Sequence, residues 1–227
     1  MRAMIMAAGR GQRLRPITDT LPKPLVMVNE KPLIVHHLEA LRSIGITDIV
    51  INLGYLGDKI RSTLGRGEAF GVNITYSIET TLLEVGGGVA HALPLLGEEP
   101  FLLVNGDIWT DYPFQRLLNY PVKLGHIVLV PNPDHNLKGD YGLIDHNVIN
   151  REDSSTTYTY TGIGVFHPIL FKEVEGVYPL TALLKKAQAE AALTGELYRG
   201  RWSDVGTIAR LQTLRNCLVD CTPFKSN

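Results

Sequence analysis

The chain has 227 residues, of which 44% are hydrophobic and 20% are charged, and its formal net charge is −1. This composition is typical of a globular protein. The near-zero net charge argues against a protein that coats nucleic acids or membrane surfaces, because such proteins usually carry an excess of basic residues. Every apolar run is shorter than the roughly 20 residues that span a bilayer, and the N-terminus lacks the long apolar segment of a signal peptide. We therefore expect one domain over residues 1–227, located in the cytoplasm, with no nucleic-acid or membrane partner.

The first half of the chain alternates strand-like and helix-like segments. Short apolar runs bounded by Gly, Asp or Asn predict strands at 3–8, 48–54, 72–77 and 101–107. Amphipathic spacing and suitable end residues predict helices at 31–45, 56–65 and 86–97. Strands that alternate with helices are typical of a parallel sheet that is covered on both faces.

The second half contains more strands and fewer helices. The same signals predict strands at 125–131, 141–146, 157–167 and 196–206, and helices at 112–120, 179–193 and 207–219. The polar segment 131–140 is the longest predicted loop, and we expect it to be mobile. We expect the later strands to join the parallel half as antiparallel strands. The predicted fold is a Rossmann-like, GT-A-type three-layer α/β/α domain with a mixed, mainly parallel central sheet.

The loop after the first predicted strand combines glycines with cations. Gly9 and Gly11 let backbone amides approach an anion closely, and four cations follow or interrupt them, namely Arg10, Arg13, Arg15 and Lys23. A lone G-x-G is frequently only a surface turn. The segment is neither a Walker A loop nor a dinucleotide fingerprint, because Leu14 occupies the third glycine position. The pattern indicates a site for a polyphosphate.

Two aspartates at the ends of strand-like segments are candidate metal ligands. Asp107 ends VNGD and Asp204 lies in GRWSDVGT. A carboxylate that follows a buried parallel strand points into the crevice where α/β sheets bind ligands, although such an Asp also occurs in plain turns. Two carboxylates from distant parts of a chain can share a Mg²⁺ ion and leave positions open for phosphate oxygens.

The run from Ala7 to Pro24 matches A-A-G-x-G-x-R-L-x-P-x-T-x-x-x-P-K-P. This run resembles the signature of the sugar-1-phosphate nucleotidylyltransferases, which join a nucleoside triphosphate and a sugar 1-phosphate into a nucleoside diphosphate sugar and release pyrophosphate. The resemblance implies catalytic roles for Arg13 and Lys23, and Mg²⁺ ligation by Asp107 and Asp204. It also implies that the nucleotide is contacted by Ala7, Ala8, Gly9, Gly11 and Asn105.

The stretch ETTLLEVGGGVAHAL at 79–93 is similar to the base-binding stretch of that family. Glu79 aligns with the residue that faces the base edge; a carboxylate only accepts hydrogen bonds, so it suits uracil, thymine or guanine. Glu84 stands where a glycine is usual, and Leu82 replaces a proline. Gly86 starts a predicted helix, where it either presents amides to ligand oxygens or permits tight packing.

Two further strands resemble the sugar-binding strands of the family. By this resemblance Tyr141 and Gly142 in GDYGLI, and Thr161 and Gly162 in TGIGVF, border the sugar. The family's E-K-P motif, which supplies a lysine for the sugar phosphate, is missing. Substitute cations are Lys138 and Arg151, which are also typical solvated surface charges.

Within the family, the short length, the triple glycine and VNGDIWTDY most resemble the bacterial uridylyltransferases that act on N-acetylmuramate 1-phosphate in peptidoglycan recycling. The expected substrates are therefore UTP and that sugar phosphate, with residues 1–110 binding the nucleotide and residues 111–227 the sugar, in a monomer. The alternatives are thymidylyl or guanylyl transfer to glucose or mannose 1-phosphate, and a regulatory subunit that binds nucleotide without catalysis. Cys217 and Cys221 are too few for a metal site and are expected to be helix residues without chemistry.

Overall fold

A computed structural model describes residues 1–219. The strands are β1 (Ala3–Met6), β2 (Met27–Val28), β3 (Lys31–Pro32), β4 (Asp48–Leu53), β5 (Asn73–Ile78), β6 (Phe101–Asn105), β7 (Ile108–Thr110), β8 (Gly125–Val130), β9 (Tyr141–Ile144), β10 (Asn147–Asn150), β11 (Thr157–Phe166), β12 (Leu193–Leu197) and β13 (Trp202–Asp204). The α-helices are α1 (Ile17–Thr20), α2 (Leu33–Ser43), α3 (Gly57–Leu64), α4 (Glu84–Leu96), α5 (Leu180–Ala189) and α6 (Ile208–Val219).

The centre of the molecule is a nine-stranded sheet with the order β5-β4-β1-β6-β11-β8-β12-β10-β9. The first four strands of that order are mutually parallel, and β11 joins them antiparallel to β6. Strand β12 then runs parallel to β8, while β9 and β10 form an antiparallel edge. The expectation of one mixed sheet, parallel in its first half, is confirmed. Two small sheets, β2-β3 and β7-β13, lie outside it.

Alternate residues of β6 show why the fold has three layers. Leu102 and Val104 are fully buried in one hydrophobic cluster with Leu38 of α2, whereas Leu103 is fully buried in a second cluster with Val89 of α4. A strand that is apolar on both faces requires a cover on both sides, because each fully buried leucine contributes about 1.5–3 kcal/mol relative to exposure. The helical layers therefore leave only the ends of the central strands open to ligands.

Two predicted segments have a different structure. The helix expected at 112–120 is only a 3₁₀ turn over Phe114–Leu117, since Pro113 precedes the turn and Asn119 has a φ of 57° that ends it. The strand expected at 196–206 divides into β12 and β13, which belong to different sheets because the chain turns between them at Gly200. Both differences come from turn residues inside an otherwise regular apolar pattern.

Strands β2, β7 and β10 lie outside the predicted segments, and β3 takes up the first two residues of the helix predicted at 31–45; each of these strands has only two to four residues. Cys217 is an exposed free cysteine on α6, and Cys221 lies outside the described residues. Within residues 1–219, no helix combines the length and apolar character needed to cross a membrane.

Two histidines are buried in the neutral form. His37 of α2 bonds to the backbone of Ile108, and His126 of β8 bonds Thr194 Oγ1 through Nδ1 at 2.8 Å. Burial lowers the pKa of each imidazole from 6.5 to about 4. The unfolded chain therefore binds more protons than the folded chain between pH 4 and 6.5, and stability falls as the pH decreases through that window.

We expect the free energy of unfolding to decrease by about 1 kcal/mol per histidine between pH 7.5 and pH 5.5, since the unfolded imidazoles become protonated and the folded ones do not. Chemical denaturation of the wild type and of His126→Gln at both pH values measures this effect. The variant should lose less stability on acidification. An equal loss in the two proteins would contradict the buried neutral state of His126.

Candidate active site

A cleft of about 710 Å³ opens at the carboxyl ends of β1, β4 and β6. Nine of the residues predicted to act on the nucleotide, its phosphates or the metal line it, namely Ala7, Ala8, Gly9, Gly11, Arg13, Lys23, Glu84, Asn105 and Asp107. The loop after β1 supplies one wall, and the residues that precede and begin α4 supply another. The topology thus brings the glycine-rich loop and the VNGD segment together at one edge of the sheet, as expected for parallel strands.

The shape of the glycine-rich loop depends on Gly11. Gly11 has a φ of 61°, and its carbonyl oxygen accepts hydrogen bonds from Leu14 N and Thr18 Oγ1, both at 2.9 Å. A Cβ atom at this position would lie 3.0 Å from Thr18 Cγ2 and 3.3 Å from Lys23 Cβ. Glycine is therefore needed both for the left-handed conformation and for the close approach of Lys23.

Lys23 lies in a 3₁₀ turn and forms an ion pair with Asp107 through Nζ and Oδ2. The Lys23 side chain is 10% exposed, whereas the Asp107 side chain is 38% exposed. A nearly buried ammonium group needs a negatively charged partner. The pair therefore holds the ammonium group of Lys23 in the cleft, beside the carboxylate that ends the VNGD segment.

Asp204 reaches the same place through the small sheet formed by β7 and β13. Asp204 pairs with Ile108, and Val205 N donates a hydrogen bond to the carbonyl oxygen of Asp107 at 2.8 Å. The Asp204 carboxylate accepts hydrogen bonds from Arg210 Nη1 at 2.6 and 2.7 Å, and His135 Nε2 lies 3.0 Å from its Oδ1. The two candidate metal ligands thus lie side by side.

A second cleft of about 350 Å³ adjoins the first, and Asn105 and Asp107 line both. Its other walls come from Ile108, His135, Asn136, Asp140, Thr159, Tyr160, Thr161, Gly162, Trp202 and Asp204. Trp202 Nε1 donates a hydrogen bond to the carbonyl oxygen of Thr161 at 3.0 Å, which holds β13 against β11. Two ligands bound in the two clefts would meet at Asn105 and Asp107.

Some of the predicted sugar-side residues are not in this second cleft. Thr161 and Gly162 line it, but Tyr141 is 7% exposed and packs in the second hydrophobic cluster. Burial raises the pKa of Tyr141 to about 12. Gly142 packs closely against Ser154, so it shapes the edge of the sheet instead of a cleft wall. Three residues of the loop predicted at 131–140 line the second cleft, namely His135, Asn136 and Asp140.

Glu79 lies behind the nucleotide cleft instead of lining it. Its Oε1 accepts a hydrogen bond from Asn52 Nδ2 at 2.6 Å and its Oε2 accepts one from Leu83 N at 3.1 Å, and the residue is 7% exposed. Asn52 Oδ1 in turn accepts from Ala7 N at 2.6 Å, and Asn52 does line the cleft. The sequence interpretation missed Asn52, although a polar residue near the end of a buried strand, as in INLG, is the same signal that identified Asp107.

At the start of α4, Glu84 and Gly86 have different surroundings, and these decide between the two alternatives that the sequence left open for Gly86. Glu84 lines the cleft with a φ of 59°, so its backbone keeps the left-handed conformation that favours the usual glycine. Gly86 lies outside both clefts, and a Cβ atom there would be 2.7 Å from the carbonyl oxygen of Tyr178. Packing against the segment before α5 is therefore what requires Gly86 to be small.

Comparison with known proteins agrees with this geometry. The family model for nucleotidyl transferases matches residues 2–219. The chain belongs to the nucleotidyl transferase family. Its relatives show that this family member is a sugar-1-phosphate nucleotidylyltransferase, an enzyme whose substrates are a nucleoside triphosphate and a sugar 1-phosphate.

The relatives of this nucleotidyl transferase differ in length and in named substrate. The N-acetylmuramate alpha-1-phosphate uridylyltransferase of Neisseria meningitidis is 45% identical over 221 residues, which cover 93% of this chain and 96% of the relative. The mannose-1-phosphate guanyltransferase of Hypocrea jecorina is 33% identical, and the match covers 91% of this chain but 61% of the relative. A Bacillus anthracis crystal structure, provisionally named a glucose-1-phosphate thymidylyltransferase, has a TM-score of 0.85 and 25% identity, and covers 100% of this chain and 98% of that one. The predicted fold class is confirmed.

The two aspartates of the nucleotidyl transferase suit a divalent metal ion, which this family generally uses. Asp107 and Asp204 offer carboxylate oxygens that are partly exposed and face the same cleft. Among the described residues, no group of three or more His, Cys, Asp or Glu side chains forms a complete metal cage. A pair of carboxylates is nevertheless the donor set that hard cations use when phosphate oxygens and water complete the coordination.

We expect Gly11→Ala to reduce kcat/KM by about tenfold or more while the protein remains folded, because the added Cβ is strained at positive φ and displaces Lys23. Gly45→Ala is the matched control, since Gly45 has a φ of 83° but a Cβ atom there would have no neighbouring atom within 4 Å. Steady-state kinetics and thermal denaturation of both variants separate backbone strain from the contact with Lys23. Equal activity losses in the two variants would contradict the proposed role of this contact.

Proposed function

We propose that this enzyme joins UTP and N-acetylmuramate 1-phosphate, releasing pyrophosphate and forming UDP-N-acetylmuramate for peptidoglycan recycling in the cytoplasm. The strongest support for a reaction between two substrates is that the two clefts adjoin at Asn105 and Asp107, where a ligand in one cleft would contact a ligand in the other. The choice of UTP and of the sugar is supported by the 45% identity to the uridylyltransferase over nearly the full length of both chains.

In the proposed reaction an oxygen of the sugar phosphate attacks the α-phosphorus of the triphosphate. A new P–O bond forms, and the bond between the α-phosphorus and its bridging oxygen breaks, so that pyrophosphate leaves with the electron pair. The sugar phosphate is already ionised at neutral pH, and no general base is required. Positioning and charge neutralisation therefore provide the catalysis.

Four charged residues have a place in this scheme. Arg13, which is exposed on the loop after β1, would bind the departing β- and γ-phosphates. Lys23, which lines the same cleft, would neutralise charge that develops on the α-phosphate. Asp107 and Asp204 would hold Mg²⁺, which supplies positive charge where the two substrates meet. Ala7, Ala8, Gly9 and Gly11 would face the nucleotide with their backbone.

The proposed division of the chain into two halves follows the walls of the clefts. Residues before 110 form most of the first cleft, with Gly206 as the exception, and we assign that cleft to the nucleotide. Residues after 110 form most of the second cleft, to which Asn105, Asp107 and Ile108 also contribute, and we assign it to the sugar phosphate. Because neither half contains a complete site, residues 1–227 act as one catalytic domain in this proposal, and we propose a monomer.

The sugar phosphate needs hydrogen-bond donors in place of the missing E-K-P lysine. Neither Lys138 nor Arg151 lines the second cleft, and Arg151 is paired with Glu152. His135 and Asn136 do line it, and His135 lies next to Asp204. Because Asn136 Nδ2 already donates to Asp140 Oδ1 and Thr159 Oγ1, we assign the contact with the sugar phosphate to His135.

The proposed function is tested by pyrophosphate release from UTP, dTTP and GTP, each combined with the 1-phosphates of N-acetylmuramate, glucose and mannose. We expect the highest kcat/KM for UTP with N-acetylmuramate 1-phosphate, by about tenfold or more over the other pairs, since a pocket that hydrogen-bonds one substrate leaves groups unpaired with another. A preference for GTP with mannose 1-phosphate would instead support the guanylyltransferase alternative, which the 33% identical relatives favour. Release with none of the pairs would support a regulatory subunit.

We expect His135→Ala to raise the KM for the sugar phosphate about tenfold and to change the KM for UTP much less, because the lost donor faces only the second cleft. Lys138→Ala and Arg151→Ala serve as controls, and both should behave like the wild type. Initial rates with one substrate varied at a time give the two KM values. A sugar-phosphate KM that rises in Lys138→Ala and not in His135→Ala would reverse the assignment.

A further inference from the structure

Arg210 is an arginine at the edge of the active site to which the proposed reaction gives no task. It lies in the first turn of α6, where its backbone N bonds to Thr207 Oγ1 at 3.3 Å. Its Nη1 donates to both oxygens of Asp204 at 2.6 and 2.7 Å, and the two side chains are only 18% and 22% exposed. A shielded, charge-assisted contact of this kind is stronger than an exposed surface pair.

The guanidinium group of Arg210 packs directly against Gly206. A Cβ atom at Gly206 would collide with Arg210 Nη2 and would lie 3.1 Å from Asp204 Oδ2. Gly206 itself lines the nucleotide cleft, whereas Asp204 lines the sugar cleft. Arg210 therefore sits beneath the junction of the two clefts, and the absence of a side chain at Gly206 is what makes room for its head group.

The two candidate metal ligands are each paired with a cation. Lys23 neutralises Asp107, and Arg210 neutralises Asp204, so two positive groups face two negative ones. An approaching divalent cation meets little net attraction from such a site, because each carboxylate already has a cation beside it. The phosphates of a bound nucleotide add the negative charge that is otherwise missing.

We propose that Arg210 is a positioning residue for Asp204: it holds the carboxylate toward the cleft and weakens its attraction for a metal ion until the nucleotide is bound. This inference rests on the proposed function, since it requires Asp204 to be a metal ligand. Arg210 would keep its contact with one Asp204 oxygen if the other held the metal. Metal and nucleotide then bind cooperatively, and by linkage each strengthens the binding of the other equally.

The test is a titration of the full-length enzyme with MnCl₂, in which the EPR signal of free Mn²⁺ reports binding. It is performed without nucleotide and with α,β-imido-UTP, which cannot release pyrophosphate, and the Mn²⁺ that this analogue binds without enzyme is measured separately and subtracted. For the wild type we expect weak binding alone and at least tenfold tighter binding with the analogue. In Arg210→Gln, Mn²⁺ should bind the nucleotide-free enzyme about tenfold more tightly than in the wild type, since a neighbouring positive charge is removed.

Three further variants make the result specific. Arg210→Lys keeps the charge and should bind Mn²⁺ like the wild type, and Arg210→Met replaces the Gln variant if that protein does not fold. Arg215→Gln removes an arginine from the same helix that contacts the carbonyl oxygen of Met27, away from both clefts, and it should leave Mn²⁺ affinity unchanged. The kcat of Arg210→Gln at saturating metal should fall, because Asp204 loses its fixed orientation.

The outcomes separate this inference from the proposed function. Asp107→Asn should lose Mn²⁺ binding in the presence of the analogue; if it binds like the wild type, the metal assignment of the proposed function is wrong. If Asp107→Asn loses binding but Arg210→Gln binds Mn²⁺ like Arg215→Gln in the absence of nucleotide, the role of Arg210 alone is overturned.

Discussion

The antiparallel pairing of β7 with β13 is the constraint on which the whole site depends. A backbone hydrogen bond from Val205 to Asp107 brings two carboxylates together that lie far apart in the sequence. The central sheet alone would place only Asp107 at its open edge. The small sheet adds Asp204, joins the nucleotide side to the sugar side, and carries the chain directly into α6 with Arg210.

Three acidic groups at or behind the clefts each have a side-chain partner. Asp107 is paired with Lys23, Asp204 with Arg210, and Glu79 with Asn52. Partly buried carboxylates need such partners because burial without them costs several kcal/mol. The consequence for function is that the side chains are held in place before any substrate arrives, so that little reorganisation is needed during the reaction.

The sequence predicted the parts of this structure that local patterns determine. Apolar runs located the central strands, and the glycines and cations after β1 located the phosphate side, because both signals lie within a few consecutive residues. The helix expected at 112–120 failed because a proline and a left-handed Asn119 outweigh the apolar spacing. Glu79 was placed at the base edge by resemblance, yet its partner Asn52 comes from another strand, and no local pattern reveals such a contact.

The shared wall between the two clefts has a consequence for ligand design. Asn105 and Asp107 border both spaces, so the region of about 710 Å³ adjoins that of about 350 Å³ at these two residues. We therefore expect a single compound that links a nucleotide-like group to a phosphosugar mimic to reach both clefts across Asn105 and Asp107. Covalent linkage makes the second contact intramolecular, and such bivalent molecules exceed the affinity of either fragment by large factors when the linker matches the span.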